Sequence, residues 1–118
     1  MGSSAALTAA FVGAVLRWFS PGDFSDIVSI THKIAQASHA AAQGKLGSGF
    51  DIASAVFGSG LYIRFTDEII KSLLLKSDAG GLSSEVVEAV FQHAAWDHLH
   101  EHIALPPNFS LTLGKILK

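Results

Sequence analysis

Cysteine is absent from this 118-residue sequence, and only 15% of its residues are charged. Without cysteine the chain can form no disulfide bond and can use no thiolate, which fits a reducing compartment. The formal net charge of −2 comes without a basic stripe, so we expect no nucleic-acid partner. The uncharged apolar run from Ala5 to Leu16 is too short to span a bilayer and is not preceded by the basic residues of a signal peptide, so we expect no membrane partner.

Apolar residues, by contrast, make up 49% of the chain, and its mean hydropathy is +0.40. Such a composition argues against disorder, and the length predicts at most one small domain. Small domains leave much of their surface in contact with water. A mean hydropathy this high therefore indicates either a piece of a larger protein or a surface that a partner covers.

Apolar periodicity and turn residues divide the chain mainly into helices. Helices are predicted over residues 5–18, 25–43, 49–57, 67–75 and from 83 or 84 to about 103, and strands over 61–65 and 109–117. The first helix begins after Ser3 and Ser4, which suit an N-cap, and it is apolar nearly all round, so we expect it at the centre of the core. The predicted fold class is α+β, mostly helical with one or two short strands.

A glycine-rich segment connects the second and third predicted helices, Gly44-Lys45-Leu46-Gly47-Ser48-Gly49-Phe50-Asp51. It is not a Walker A loop, because His39 stands where that motif needs its first glycine, and it lacks the glycine spacing of a dinucleotide fingerprint. Dense glycines with a lysine, a serine and a carboxylate that enters a helix suit a phosphate or alcohol site. A plain flexible turn explains the same residues equally well.

Two weaker motifs lie outside this segment. Gly2, Ser3 and Ser4 offer free backbone N–H groups, hydroxyls and a positive helix end, which together can bind an anion. A serine hydroxyl can also ligate magnesium. An ordinary serine N-cap is the alternative explanation of these residues. His98, Glu101 and His102 have the spacing of an H-x-x-E-H zinc motif, with both histidines on one face of the predicted helix. The alternative is that these histidines lie at the C-terminal end of the helix, where a protonated imidazole interacts favourably with the helix dipole.

Two separated strings resemble one family, the GHMP small-molecule kinases. GSSAALTAA, residues 2–10, resembles their phosphate loop, which ends GLGSSAA. Residues 35–65, AQASHAAAQGKLGSGFDIASAVFGSGLYIRF, resemble phosphomevalonate kinases of the eukaryotic, plant-like type, in which AQ-x-x-H, QGK-x-GSGFD and YGS-x-x-Y-x-RF follow one another. Trp96-Asp97-His98, Leu105-Pro106-Pro107 and Leu111-Thr112-Leu113-Gly114 resemble that family's W-D-H, LPP and LLLG segments. The resemblance covers nearly the whole chain.

This resemblance implies transfer of the γ-phosphate of ATP to 5-phosphomevalonate, which gives 5-diphosphomevalonate in the mevalonate route to isoprenoids. It implies ATP and Mg²⁺ as cofactors and the cytoplasm as location, with the peroxisome as the alternative. Asp51 would be the catalytic carboxylate, as a base or an electrostatic anchor. The other implied site residues are Gly2, Ser3 and Ser4 for the ATP phosphates, Ser4 also for magnesium, and Lys45, Ser48 and Gly49 for the substrate.

The same resemblance implies that residues 1–118 are part of a GHMP kinase domain, with its phosphate-loop end, helical core and GSGFD segment, but without the N-terminal strands and the C-terminal domain. The missing parts of the kinase fold would then be its partner, and the isolated chain would have little or no activity. In the related mevalonate kinases a glutamate on the helix before the aspartate helps to hold magnesium, whereas this helix offers only alanines there. Another GHMP kinase, such as mevalonate kinase, and a catalytically silent helical binding module remain as alternatives.

Overall fold

A computed structural model describes residues 2–19, 23–78, 88 and 96–112, with the backbone alone for 73–78. In these residues it contains the helices α1 (Ser3–Phe19), α2 (Phe24–Gln43), α3 (Phe50–Phe57) and α4 (Asp67–Asp78), and the strands β1 (Gly60–Ile63) and β2 (Leu99–His102). The first four predicted helices are confirmed to within a few residues. Asp23 begins α2 as its N-cap, because its carboxylate accepts the backbone N–H of Ser25 at 3.0 Å.

One part of the core joins the first three helices through small side chains. Ala5 and Ala9 of α1, Ala35 of α2 and Ile52 of α3 are buried together, and Val12 and Val56 pack against them. Alanine at the contact lets helix axes approach closely, so the start of α1 lies against the C-terminal half of α2.

A second part of the core holds the chain that follows the glycine-rich segment. Ala40 of α2, Phe65, Ile70 of α4 and Trp96 form it, and the rings of Phe65 and Trp96 meet edge to face with centroids 4.8 Å apart. This cluster connects α4 and the residue Phe65 after β1 to the last turns of α2. It also packs against Leu46 in the segment between α2 and α3, while the first cluster includes Ile52 just after that segment.

Strand β2 contradicts the helix predicted to run as far as Ile103. It pairs antiparallel with β1, with Gly60 opposite His102 and Ile63 opposite Leu99. The apolar side chains Leu99 and Ile103 are about half exposed, whereas His98 and His100 face inwards. The inward side of this strand is therefore polar, and no stripe of apolar residues in the sequence indicates which conformation the segment adopts. Most of the N-terminal part of that predicted helix lies outside the described residues.

Of the two strands predicted from the sequence, the first is confirmed and the described part of the second is wrong. The strand predicted from residue 61 is confirmed as β1, although it ends at Ile63. The strand predicted over 109–117 is wrong for residues 109–112, which have no regular structure, and its remainder lies outside the described residues.

Helix α1 is not the central core helix that its composition predicts. Only Ala5 and Ala9 of its described residues are buried, while Leu7, Phe11, Trp18 and Phe19 are 68–83% exposed. In the described part of the protein, α1 packs through one alanine stripe against α2 and α3, and its large side chains point away from that contact. No helix of that part is long and apolar enough to cross a membrane.

Candidate functional site

A cavity of about 400 Å³ lies between the C-terminal half of α2, the start of α3 and the segment between them. We call that segment, residues 44–49, the glycine-rich turn. The cavity is lined by four of the residues singled out from the sequence, Lys45, Ser48, Gly49 and Asp51. Gln36, His39 and Gln43 of α2 line it as well. The structure therefore brings the predicted substrate-side residues to one place.

Two glycines shape the turn. Gly44 ends α2 with a left-handed φ of 62°, and its N–H donates to the carbonyl of Ala41 at 3.2 Å. Gly49 precedes α3 with a φ of 73°, and a Cβ atom there would lie 2.8 Å from both Nε2 and Oε1 of Gln36. Both the backbone conformation and the close approach of Gln36 require glycine at position 49.

Gln36 holds the turn from the buried side. Its Nε2 donates to the carbonyl of Gly49 at 2.8 Å and lies 3.2 Å from Nε2 of His32. The hydroxyl of Tyr62 lies 3.0 Å from the same His32 nitrogen. Gln36, His32 and Tyr62 thus form one buried hydrogen-bond network beneath the turn, in which a neutral imidazole ring can take part.

The surroundings of His32 favour this neutral form. His32 is completely buried, and burial, reinforced by nearby His98, Lys33 and His100, lowers its pKa to about 3. Burial likewise lowers the pKa of His98 and raises that of Tyr62. A neutral, buried network therefore supports the Gly49 carbonyl.

Arg64 holds the turn from the other side. Its Nη1 donates to the carbonyl of Gly47 at 3.0 Å, while Nη2 forms an ion pair with Asp67 at the start of α4. Lys71 lies 3.9 Å from the second oxygen of that carboxylate. Sequence reasoning missed the roles of Gln36 and Arg64, although both lie in the matched strings, AQ-x-x-H and Y-x-RF.

Asp51 lies in the first turn of α3, where the positive end of a helix suits a carboxylate. Its Oδ1 accepts the backbone N–H of Ile52 at 3.0 Å, and its side chain is exposed, as are those of Lys45 and Ser48. Among the described residues, no ion pair engages Lys45 or Asp51. Both charged groups therefore face solvent at the cavity and are open to a ligand.

The start of α1 lies beside the cavity but does not line it. Ser4 Oγ is 3.2 Å from Nε2 of His39, a residue that does line the cavity. Gly2 and Ser3 are exposed, and the Gly2 carbonyl accepts the Ala6 N–H at 2.9 Å, as a helix start requires. Of the three residues predicted to bind ATP phosphates, Ser4 thus lies within hydrogen-bond distance of a residue that lines the cavity.

The histidines of the H-x-x-E-H string do not form the predicted helical pair. His98 precedes β2, and His100 and His102 follow on that strand, so the three alternate with Leu99 and Glu101. The rings of His98 and His100 stack on Phe57, with centroids 6.1 and 4.5 Å away. They act as packing groups under β1 and β2.

The donors around Ser4 suit magnesium only in part. Ser4 offers an oxygen, the donor atom that Mg²⁺ prefers, but the side-chain atoms that contact it or follow in the same chain of contacts are nitrogens of His39 and Gln43. Within the described residues, no group of three or more His, Cys, Asp or Glu side chains could hold a metal ion. Protein-bound Mg²⁺ keeps water and substrate phosphates as ligands, so one serine oxygen would be a single ligand among several.

Comparison with known proteins identifies one matching family and several similar proteins. The family described as GHMP kinases N terminal domain matches residues 1–59. The chain is 38% identical to a protein of Arabidopsis thaliana named phosphomevalonate kinase, peroxisomal, over 98% of this chain and 24% of the relative. It is 35% identical to the phosphomevalonate kinase of Candida albicans, over 98% of this chain and 27% of the relative.

A third relative supports the same grouping over a shorter stretch. The phosphomevalonate kinase of Saccharolobus solfataricus is 49% identical over 67 residues, which are 57% of this chain and 20% of the relative. The chain thus spans about a quarter of the length of the first two curated relatives. No solved structure matches the chain.

Proposed function

The chain belongs to the GHMP kinase family, and on that premise we propose that the cavity at its glycine-rich turn is the acceptor side of a phosphomevalonate kinase site. The reaction would transfer the γ-phosphate of ATP to 5-phosphomevalonate and give 5-diphosphomevalonate. The observation that carries this proposal is the meeting of Lys45, Ser48, Gly49 and Asp51 at one cavity beside the start of α1. The names of the curated relatives support the choice of acceptor.

On the acceptor side, Lys45 and Ser48 would bind the phosphate of the substrate. An ammonium group and a hydroxyl donate hydrogen bonds to phosphate oxygens, and Gly49 keeps the backbone close to them without a side chain. A phosphate monoester is already ionised near neutral pH, so its oxygen can attack without losing a proton. Asp51 would therefore act as an electrostatic anchor for the cationic groups around the phosphates rather than as an obligatory base.

On the donor side, Gly2, Ser3 and Ser4 would bind the ATP phosphates. Their backbone N–H groups lie at the start of α1, where the helix presents its positive end. When bound, Mg²⁺ would neutralise charge on the phosphates, and Ser4 Oγ is the side-chain oxygen of this end that would hold it. Phosphoryl transfer depends mostly on position and charge neutralisation, so few protein groups suffice.

We further propose that residues 1–118 form one part of a kinase fold whose other parts are the partner of this site, since the chain spans about a quarter of the first two curated relatives. The expected location is the cytoplasm. The peroxisome is the alternative, because the name of the Arabidopsis relative includes that compartment.

Titration calorimetry tests the choice of acceptor. The chain should bind 5-phosphomevalonate at least about tenfold more tightly than mevalonate, because hydrogen bonds from charged groups contribute about 1.5–3 kcal/mol each. Lys45→Ala should remove most of that preference. Lys71→Ala is the matched control, because Lys71 contacts Asp67 and does not line the cavity.

Two results would replace this proposal with an alternative. Equal or tighter binding of mevalonate would indicate a different GHMP kinase, such as mevalonate kinase. A folded chain that binds neither acceptor nor ATP would be a catalytically silent helical module.

We expect little or no turnover from the 118-residue chain by itself. Lys45, Ser48 and Asp51 are exposed, whereas efficient phosphoryl transfer requires a site that excludes water. Release of ADP that depends on both ATP and 5-phosphomevalonate, and that Asp51→Asn abolishes, would contradict this expectation.

A further inference from the structure

The cavity at the glycine-rich turn is lined by two kinds of side chain. Lys45, Ser48 and Asp51 are polar and exposed, and they belong to the turn and to the start of α3. Four of the other lining residues are apolar and pack together, and we call them the apolar wall: Ala40, Leu46, Phe65 and Ile70. The proposed function uses the polar side of the cavity and gives the apolar wall no role.

The apolar wall is one face of the second part of the core. Ala40, Phe65 and Ile70 belong to that part and are buried, with exposed fractions of 9%, 3% and 1%. Leu46 packs against them and is only half-buried. Leu46 is therefore the side chain of the wall that is most open to a ligand, and the core fixes it from behind.

The apolar wall begins beside the groups proposed to bind phosphate. Leu46 directly follows Lys45 in the chain, and Ser48 lies two positions further on. All three line the same cavity of about 400 Å³, so a carbon chain attached to a phosphate at Lys45 and Ser48 can reach the wall. Aliphatic carbon placed there releases water from apolar surface, whereas a carbon that carries a hydroxyl loses a hydrogen bond to water.

The polar side chains that α2 adds to the cavity do not offset this preference, because they already have partners in the protein. Gln36 donates to the carbonyl of Gly49 at 2.8 Å. His39 lies within hydrogen-bond distance of both Ser4 and Gln43, at 3.2 and 3.1 Å. A hydroxyl group of a ligand would have to compete with these contacts.

We propose that the apolar wall determines the specificity of the acceptor side, with Leu46 as its principal residue, and that it selects phosphates of aliphatic carbon chains over phosphates of polyhydroxylated compounds. The inference rests on the proposed function, because it assumes that Lys45 and Ser48 bind the phosphate. It adds to that function the group that recognises the carbon skeleton of the acceptor.

Two five-carbon probes test this selection without the natural acceptor. n-Pentyl phosphate and ribitol 5-phosphate are both acyclic phosphate monoesters, and they differ in the hydroxyl groups on the chain. An NMR titration of the ¹⁵N-labelled chain measures their affinities and that of inorganic phosphate. The wild-type chain should bind pentyl phosphate at least about tenfold more tightly than ribitol 5-phosphate, since burial of one methylene changes an affinity roughly fourfold.

Variants of Leu46 separate recognition of the carbon chain from support of the turn. Leu46→Asn should lower the preference for pentyl phosphate at least about fourfold and change the affinity for inorganic phosphate less than about twofold, because the wall does not bind the phosphate. Leu46→Met should keep the preference, since it conserves volume and apolar character. Leu61→Asn is the matched control, because Leu61 is exposed on β1 and does not line this cavity.

Equal affinities for the two five-carbon probes, or a preference that Leu46→Asn leaves unchanged, would overturn the inference. Equal losses for pentyl phosphate and inorganic phosphate in Leu46→Asn would overturn it as well, because Leu46 would then act only by shaping the turn. None of these results contradicts the proposed function, which is tested by 5-phosphomevalonate against mevalonate and by Lys45→Ala. A wild-type chain that binds none of the phosphates would overturn both.

Discussion

At the scale of the residue, a methyl group added at Gly49 would lie 2.8 Å from two atoms of Gln36, in a backbone conformation with a φ of 73°. Gly49→Ala should lower the free energy of unfolding by about 2–3 kcal/mol, the sum of left-handed strain and a weakened buried hydrogen bond. Urea denaturation measures the change. Gly47→Ala is the control, since a Cβ there meets nothing within 4 Å, and equal losses in the two variants would contradict the geometry.

The buried imidazole of His32 makes stability depend on pH. Its pKa is about 3 in the folded protein, so below its ordinary value of 6.5 the unfolded chain takes up a proton that the folded chain does not. The free energy of unfolding should therefore fall as pH falls from about 6.5 towards about 3, by up to about 1.4 kcal/mol per unit from this group. Above pH 6.5 the contribution is fully present.

Urea denaturation at pH 7 and pH 5 checks this prediction. His32→Gln should reduce the loss between the two conditions by about 2 kcal/mol, while His98, whose pKa is also lowered, keeps its own share. His102→Gln, at an exposed position, should leave the pH dependence unchanged. A loss that is the same in His32→Gln and in the wild type would show that His32 is not the titrating group.

These residue-scale features also show what the sequence could reveal. Dense glycines beside Lys45 and Asp51 were sufficient to locate the turn. The contact of Gln36 with Gly49 was not predictable, because it depends on how α2 and α3 pack and joins residues 13 positions apart in the sequence. The same holds for His39, whose partner Ser4 is 35 residues away.

At the scale of the element, the glycine-rich turn is held by the segment that joins β1 to α4. Arg64 in this segment binds the Gly47 carbonyl and Asp67 at once. Arg64→Ala should weaken binding of 5-phosphomevalonate about three- to tenfold, because the turn loses one of the hydrogen bonds that fix it. Calorimetry measures the change, and Lys71→Ala is the control, since Lys71 contacts Asp67 but not the turn. Unchanged binding in Arg64→Ala would show that the turn needs no such support.

Elements with a strong pattern of their own were predictable. Helix α2 has its cap at Asp23, an apolar face and a glycine at its end, and it was predicted to within one residue at its start. Strand β2 has no such pattern, because its inward residue His100 is polar and its outward residue Leu99 is apolar. Its pairing with β1 supplies the backbone hydrogen bonds that decide its conformation, and that pairing is a tertiary feature.

At the scale of the whole molecule, the described residues leave a large apolar surface on α1 and the start of α2. The exposed side chains there are Leu7, Phe11, Trp18, Phe19 and Phe24. This is the uncovered apolar surface that the mean hydropathy predicts. The position of this surface could not be predicted, because α1 is apolar on all sides and only the packing of Ala5 and Ala9 decides which side faces the core.

The two tryptophans report on this arrangement. Trp18 is 83% exposed, whereas Trp96 is 6% exposed in the second part of the core. Acrylamide should therefore quench the fluorescence of Trp96→Phe, in which only Trp18 remains, several times more strongly than that of Trp18→Phe. Equal quenching in the two variants would contradict the packing of Trp96, and protection of Trp18 that disappears on dilution would indicate that copies of the chain cover the α1 surface.

The central claim is that the cavity at the glycine-rich turn binds the phosphate of the acceptor through Lys45 and Ser48. An NMR titration of the ¹⁵N-labelled chain with 5-phosphomevalonate, and separately with mevalonate, tests it most directly. We predict that 5-phosphomevalonate shifts the backbone amide resonances of residues 44–51, that mevalonate shifts them little, and that Lys45→Ala suppresses the shifts. Equal shifts with both ligands, or shifts confined to residues outside the cavity, would contradict the account.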